Sequence, residues 1–255
     1  MSPTSSKMVS LRVTLAATLG SLSVALAQTT GTTTTTWDCC EPACGYTSNL
    51  SPGTSPVVDV EFRNIDFRPY SGATGPVKSC SQSNGAASAG ATNACFANGA
   101  TNLAFSCSTY QPIIVSDTLS YGFAGHGNTA TDSCCKCYQF TWTSGAGAGK
   151  SMIVQAINAG GITDTDFDIY TPGGGVGDYN ACTAQYGAPQ QGWGRQYGGV
   201  SSDAECSELP SNLQAGCHWR WQWAGGDVNE WGITYTQVNC PSQLTSISGC
   251  TPASI

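Results

Sequence analysis

Two aspartates carry the chemistry this sequence offers. Asp38 lies in Thr36-Trp37-Asp38-Cys39-Cys40-Glu41-Pro42-Ala43-Cys44, between an aromatic ring and a pair of adjacent cysteines. A bonded Cys39 would fix the backbone beneath that carboxylate, and Trp37 places a sugar-sized ring beside it. Tyr46, two residues past Cys44, is a second candidate platform. Asp168 sits between Phe167 and Ile169, just ahead of the glycine run at 173–177. Apolar neighbours disfavour a carboxylate's charge and so raise its pKa. One carboxyl that keeps its proton and one that is ionised are the two groups glycosidic hydrolysis requires. Asp164 and Asp166 alternate with Asp168, so in an extended chain all three share a face. Their mutual repulsion would then raise at least one pKa, which makes both candidate assisting acids. Against each acid stands the plain reading of a solvated surface carboxylate.

The other catalytic toolkits are poorly stocked. A Ser-His-Asp or Cys-His site needs a histidine beside its nucleophile, and the two histidines, His126 and His218, read as structural. Gly173-Gly174-Gly175-Val176-Gly177 lacks the Lys-Ser/Thr of a phosphate-cradling loop and reads as a tight turn. Copper-dependent oxidation would need an amino-terminal histidine, whereas the expected mature terminus is Gln28. Cys134-Cys135-Lys136-Cys137 superficially resembles a metal cluster, but zinc favours Cys-x2-Cys spacing and often adds histidine. No metal and no cofactor is implied.

The elements that must hold these acids follow from the rest of the chain. Residues 1–27 read as a secretory signal: Lys7 and Arg12 flank an apolar run that ends at Ala25-Leu26-Ala27. That run is too short, and too rich in Ser and Thr, to span a membrane. The remainder is long enough for one domain with a core. All 14 cysteines follow residue 27, and an even number in a secreted chain implies a disulfide framework. Neighbours such as 39/40 and 134/135 point to opposite sides of an extended chain, so each is expected to bond a different partner. Losing Lys7 and Arg12 from the 9 basic residues leaves 7 against 16 acidic ones, a net of −9. Nucleic acid and anionic membranes are thereby excluded as partners, and a neutral substrate fits.

Residues 29–36 are threonine-rich, either a linker fragment or part of the first strand. Strands are expected at 137–143, 151–158, 218–223 and 232–240, the third placing three tryptophans on one face as core packing or a sugar platform. A short helix is expected at 202–209, with Ser202 and Glu205 at capping-box spacing and Pro210 closing it. Residues 47–79, rich in Pro, Gly and Ser, read as a surface excursion carrying the sequon Asn49-Leu50-Ser51. The pattern is a single mostly-β barrel domain over 37–255, preceded by a Thr-rich segment at 28–36.

Taken together, the chain resembles glycoside hydrolase family 45. The motifs are Trp37-Asp38-Cys39-Cys40-Glu41-Pro42-Ala43-Cys44-Gly45, Cys134-Cys135-x-Cys137-Tyr138, Phe167-Asp168, Pro172-Gly173-Gly174-Gly175-Val176-Gly177, Tyr197-Gly198-Gly199-Val200-Ser201-Ser202, Gly216-Cys217-x-Trp219-Arg220 and Gln237-Val238-x-Cys240-Pro241. All 14 cysteines have family counterparts. The resemblance implies a six-stranded double-psi β-barrel with long disulfide-linked loops and a few short helices. The bridges it implies are Cys39–Cys182, Cys40–Cys95, Cys44–Cys134, Cys80–Cys107, Cys135–Cys250, Cys137–Cys240 and Cys206–Cys217. It implies a secreted, monomeric endo-β-1,4-glucanase that inverts configuration on cellulose or a related β-glucan, without a carbohydrate-binding module. By resemblance Asp38 is the general base, Asp168 the general acid, and Asp164 the counterpart of a third acid on the preceding loop. Trp37, Tyr46 and Thr36 are the expected substrate contacts. The chain departs from the family at several points. Thr36 replaces a sugar-contacting tyrosine, Thr35 an arginine, Asp166 a histidine, Ile113 a tryptophan, and Tyr46 a tryptophan. The stretch between Cys44 and Cys80 is also longer. The competing reading is a non-hydrolytic, expansin-like glucan-binding protein, a class that shares the barrel and an acid like Asp168 but lacks the base.

Overall fold

The computed structural model describes residues 28–46, 75–127, 133–159 and 161–252. The expected signal segment, the sequon and residues 47–74 of the expected excursion lie outside them. Nine strands are formed among the described residues: β1 (Thr29–Thr36), β2 (Thr92–Asn93), β3 (Leu103–Ala104), β4 (Ile113–Ile114), β5 (Leu119–His126), β6 (Cys137–Trp142), β7 (Ser151–Asn158), β8 (Phe167–Tyr170) and β9 (Trp231–Val238). Six of them, in the order β5-β7-β6-β9-β1-β8, close on themselves because β8 also pairs with β5. Closure removes the free edges that an open sheet would expose. The pairs β1–β8 and β5–β7 are parallel, and the other barrel pairs are antiparallel. This is the six-stranded double-psi barrel, with β4 added outside β5.

The threonine-rich run is β1, and it is a full barrel strand with partners on both sides. β-Branched side chains suit this conformation, and alternation assigns each hydroxyl a job. Thr33 and Thr35 are buried inward, where Thr33 Oγ1 donates to Val228 O at 3.0 Å and accepts from Trp142 Nε1 at 3.0 Å. Thr32, Thr34 and Thr36 face the other way, towards open space.

The expected strand at 218–223 does not form. Helix α1 (Cys182–Tyr186) is followed in the chain by α2 (Ser211–His218), which runs directly into a π-helical turn at Trp219–Ala224. The reason lies in the spacing: residues two apart share a strand face, but residues four apart share a helix face, and Trp219 and Trp223 satisfy both. They stack with centroids 5.6 Å apart inside an aromatic core with Trp142 and Trp231. Core packing, one of the two sequence readings, is therefore what these rings do. The expected helix at 202–209 is a 3-10 turn at Ala204–Glu208, where Glu205 accepts from Ser201 N and the Ser202 hydroxyl. A last helix, α3 (Ser242–Ser248), ends at Gly249.

Seven disulfides staple the loops to the barrel: Cys39–Cys182, Cys40–Cys95, Cys44–Cys134, Cys80–Cys107, Cys135–Cys250, Cys137–Cys240 and Cys206–Cys217. Cys107 fastens the segment ahead of β4 to Cys80. Cys250 anchors the residues after α3 to Cys135, and its carbonyl accepts from Gln155 Nε2 of β7 at 2.8 Å. The adjacent cysteines each reach a different segment, though not from extended chain. Cys39 and Cys135 adopt left-handed φ of 61° and 68°.

Candidate active site

The end of β1 and the strand beside it set the positions of the two acids. Thr34 pairs with Asp168 across the parallel β1–β8 ladder, and Gly125 of β5 faces Asp168 from the other side. Thr34 Oγ1 donates to Asp168 Oδ1 at 2.8 Å. Asp38 lies two residues beyond β1. Its carboxylate accepts from Cys40 N at 2.9 Å, and its carbonyl accepts from Ala181 N at 2.8 Å. The bridges Cys39–Cys182 and Cys40–Cys95 hold the segment on both sides. Both carboxyls open into one cleft of about 830 Å³, walled by β1, the glycine run 174–177, Asp178, Tyr179 and residues 195–198.

Both acids are half-buried, and both are pushed towards neutrality. Burial raises Asp168 to about 6, against the opposing hydrogen bond from Thr34. Burial also raises Asp38 to about 7; the Cys40 N–H opposes this, and the charge of nearby Asp168 adds to it. Two interacting carboxyls titrate as a pair. Between full protonation and full ionisation the pair shares one proton.

Glycine is required where the loops meet backbone to backbone. A Cβ on Gly199 would lie 1.7 Å from Gly173 O, and Gly175, at φ 102°, would place one 2.8 Å from Gln196 O. Behind these loops Arg220, fully buried, donates to Gly198 O (2.9 Å), Val200 O (2.6 Å), Gly173 O (3.4 Å) and Thr35 Oγ1 (3.2 Å). Its burial lowers the guanidinium pKa to about 10. This single cation ties β1 to both cleft loops, a function the sequence reading did not assign to it.

The remaining candidates separate. Trp37 is only 2% exposed and packs edge-on against Tyr170, so it is a core residue and cannot stack on a sugar. Thr36 lines the cleft. Tyr46, at the end of a 3-10 turn, neighbours Glu41 and Asn93 and is not among the described residues lining the cleft. None of the bridged cysteines lines it either; Cys107 and Cys250, like the rest, act as staples behind the surface. The three alternating aspartates do not share a face, because 161–166 is irregular and only Asp168 lies in a strand. Asp164 and Asp166 border a neighbouring recess with Thr32, Thr34 and Glu230. Asp166 accepts from Thr163 Oγ1 (2.6 Å), Thr32 Oγ1 (2.7 Å) and Thr32 N (3.0 Å). Partial burial alone would raise its pKa, but these bonds outweigh that and lower it. It staples the loop to β1. The elevation at Asp168 thus arises from burial and not from repulsion among the three acids.

Two cleft aromatics escaped the sequence reading. Tyr179 and Tyr197 line the cleft while 51% and 64% exposed, and Tyr197 OH donates to Asp178 Oδ1 at 2.5 Å. Both lie in loops, where no periodicity marks them; a ring flanked by glycines, as in Tyr197-Gly198-Gly199, was the available signal. His126 is buried, stacks on Phe167 with centroids 4.0 Å apart and contacts Asp166 O through Nδ1, a structural placement. Asp203, Cys206 and His218 bring ligand-type atoms together, but Cys206 Sγ is consumed in its bridge to Cys217. Without that thiolate the donor set does not suit a soft metal ion.

Known proteins resemble this chain along most of its length. The family model for glycosyl hydrolase family 45 matches residues 30–251. The chain is 37% identical over 242 residues to a putative endoglucanase type K of Fusarium oxysporum, covering 93% of this chain and 57% of that one. It is 37% identical over 224 residues to an endoglucanase of Cryptopygus antarcticus, covering 86% and 88% respectively. The crystal structure of a cellulase from that Antarctic springtail superposes with a TM-score of 0.73 at 35% identity, covering 89% of this chain and 98% of the other.

Proposed function

The chain belongs to glycosyl hydrolase family 45, and from that premise we propose that it is a secreted, monomeric endo-β-1,4-glucanase. It hydrolyses internal bonds of cellulose or a related neutral β-glucan with inversion, Asp168 donating the proton and Asp38 activating water. The observation that carries this reading is the pair of half-buried carboxyls, both raised towards neutral pH, on one open cleft. An open cleft admits a chain at any internal position. Seven disulfides suit an oxidising, extracellular compartment.

The roles require the shared proton to sit on Asp168 while Asp38 is ionised. Asp38 is held towards its protonated form by burial and, in part, by the charge of Asp168 beside it. When Asp168 holds the proton that repulsion vanishes, and Asp38 ionises more readily. The productive arrangement is therefore one of the two ways the pair stores a single proton. Donation from Asp168 neutralises charge developing on the leaving oxygen, and Asp38, held by Cys40 N, accepts a proton from water on the opposite face of the sugar.

The test is release of soluble cello-oligosaccharides from amorphous cellulose or mixed-linkage glucan, with anomeric configuration followed by NMR. Asp168→Asn should cost about 10²- to 10⁴-fold in kcat. Equal release by wild type and Asp168→Asn would sink the hydrolytic reading and favour a non-hydrolytic glucan-binding protein.

A further inference from the structure

At the edge of the catalytic cleft, two exposed aromatic rings touch each other. Phe96, 53% exposed, meets Tyr179 with centroids 5.2 Å apart and planes at 66°. Single exposed apolar side chains are ordinary, but this pair is continuous with the cleft, because Tyr179 is one of its walls. Water gains nothing from a bare ring pair, and a steep corner of two rings suits a pyranose, whose C–H face stacks on one ring while the other closes its edge.

The corner is also rigidly referenced to the reacting centre. Phe96 follows Cys95, which is bonded to Cys40, whose N–H holds the Asp38 carboxylate. Tyr179 precedes Ala181, whose N–H donates to Asp38 O, and Cys182, which is bonded to Cys39. Each ring thus sits within three residues of a disulfide to the segment carrying Asp38. The flanking chain fits a neutral polyol: from Ser79 to Ser116 there is no Asp, Glu, Lys or Arg, and Ser, Asn and Thr recur along it. A charged partner would find no opposite charge in that segment.

We propose that Phe96 and Tyr179 form an outer sugar-binding site, which takes a glucose unit of a β-1,4-glucan chain as it leaves the catalytic cleft. The site makes long chains better ligands than short ones. The proposal rests on the functional reading above.

The experiment compares wild type, Phe96→Ala and Phe96→Trp on cello-oligosaccharides from three to six units and on soluble mixed-linkage glucan. Phe96 is exposed, so the Ala variant should fold, and equal melting temperatures check this. Phe96→Ala should lower kcat/KM about two- to tenfold on the longest substrates only, through KM, with Phe96→Trp restoring it. A loss that is equal at every length would mean that Phe96 merely shapes the cleft through Tyr179, and overturns the site; so does no loss at any length. If wild type hydrolyses no glucan, the functional reading fails separately. Calorimetric binding of cellohexaose and cellotriose to wild type and Phe96→Ala then decides: weaker hexaose binding alone supports the site, and any other pattern overturns it.

Discussion

Replacing Thr34 by Val removes the one side-chain hydrogen bond that, among the described residues, holds the Asp168 carboxylate, while keeping nearly the same side-chain volume. The bond is 2.8 Å long, and it lowers the pKa of a group that burial has raised to about 6. A hydrogen bond to a charged group is worth about 1.5–3 kcal/mol. At about 1.4 kcal/mol per pKa unit, its loss should raise Asp168 by about 1–2 units. The sign is unambiguous, because the bond stabilises the ionised form and its removal favours the proton. The proposed acid is active when protonated, so the alkaline limb of kcat/KM should move upward by up to that amount. The assay is the pH profile of kcat/KM on soluble mixed-linkage glucan, which reports groups of the free enzyme. Thr34→Ser retains the hydroxyl and should leave the limb in place. An alkaline limb that stays put in Thr34→Val, with hydrolysis intact, would refute either the hold of Thr34 on Asp168 or the role of Asp168 as acid.

Two further outcomes follow from the buried charges. Arg220→Gln leaves the carbonyls of Gly198 and Val200 short of donors, while Gly173 O keeps the N–H of Val200; at about 1–3 kcal/mol for each of these two buried groups, stability should fall by about 2–6 kcal/mol. The denaturation midpoint with disulfides intact measures it, and an unchanged midpoint contradicts the clamp. Asp38 and Asp168 both have folded pKa values above their ordinary 3.8, so the native state holds protons that the unfolded chain has already lost. Stability from this pair is greatest below the ordinary 3.8, falls as pH rises through about 6–7, and is flat above. Asp168→Asn should remove its share, on the order of 1–3 kcal/mol after allowing for water in the cleft. Its melting temperature should then exceed wild type at about pH 8 and match it at about pH 4; a difference independent of pH would show that the carboxyl is not raised.

Much of the barrel was legible because strand chemistry is local. The runs at 151–158 and 137–143 read as strands and form β7 and β6, since β-branched and aromatic residues in alternation have one good backbone solution. The misreading of 218–223 shows the limit of that logic: Trp219, Trp221 and Trp223 fit a period of two, yet Trp219 and Trp223 also fit one helical turn, and the stacked core selects the helix. For the acids, sequence identified the residues but not their surroundings. Asp166 and Asp168 lie two positions apart in similar company. Three donors from Thr32 and Thr163 hold one as a charged staple, while burial and a single donor leave the other near neutrality.

What the sequence by itself determined is therefore covalent and local: 14 cysteines committed to bridges, β-branched strands, and two carboxyls, one just past β1 and one within β8. Tertiary structure alone decided which of those groups meet. It sent Trp37 into the core beside Tyr170, recruited Tyr179 and Tyr197 from unpatterned loops, and set Arg220 behind the cleft as the tie among three segments. The physical reason is that burial, desolvation and hydrogen-bond supply depend on residues more than a hundred positions away, as with Thr34 and Asp168, which no local pattern encodes.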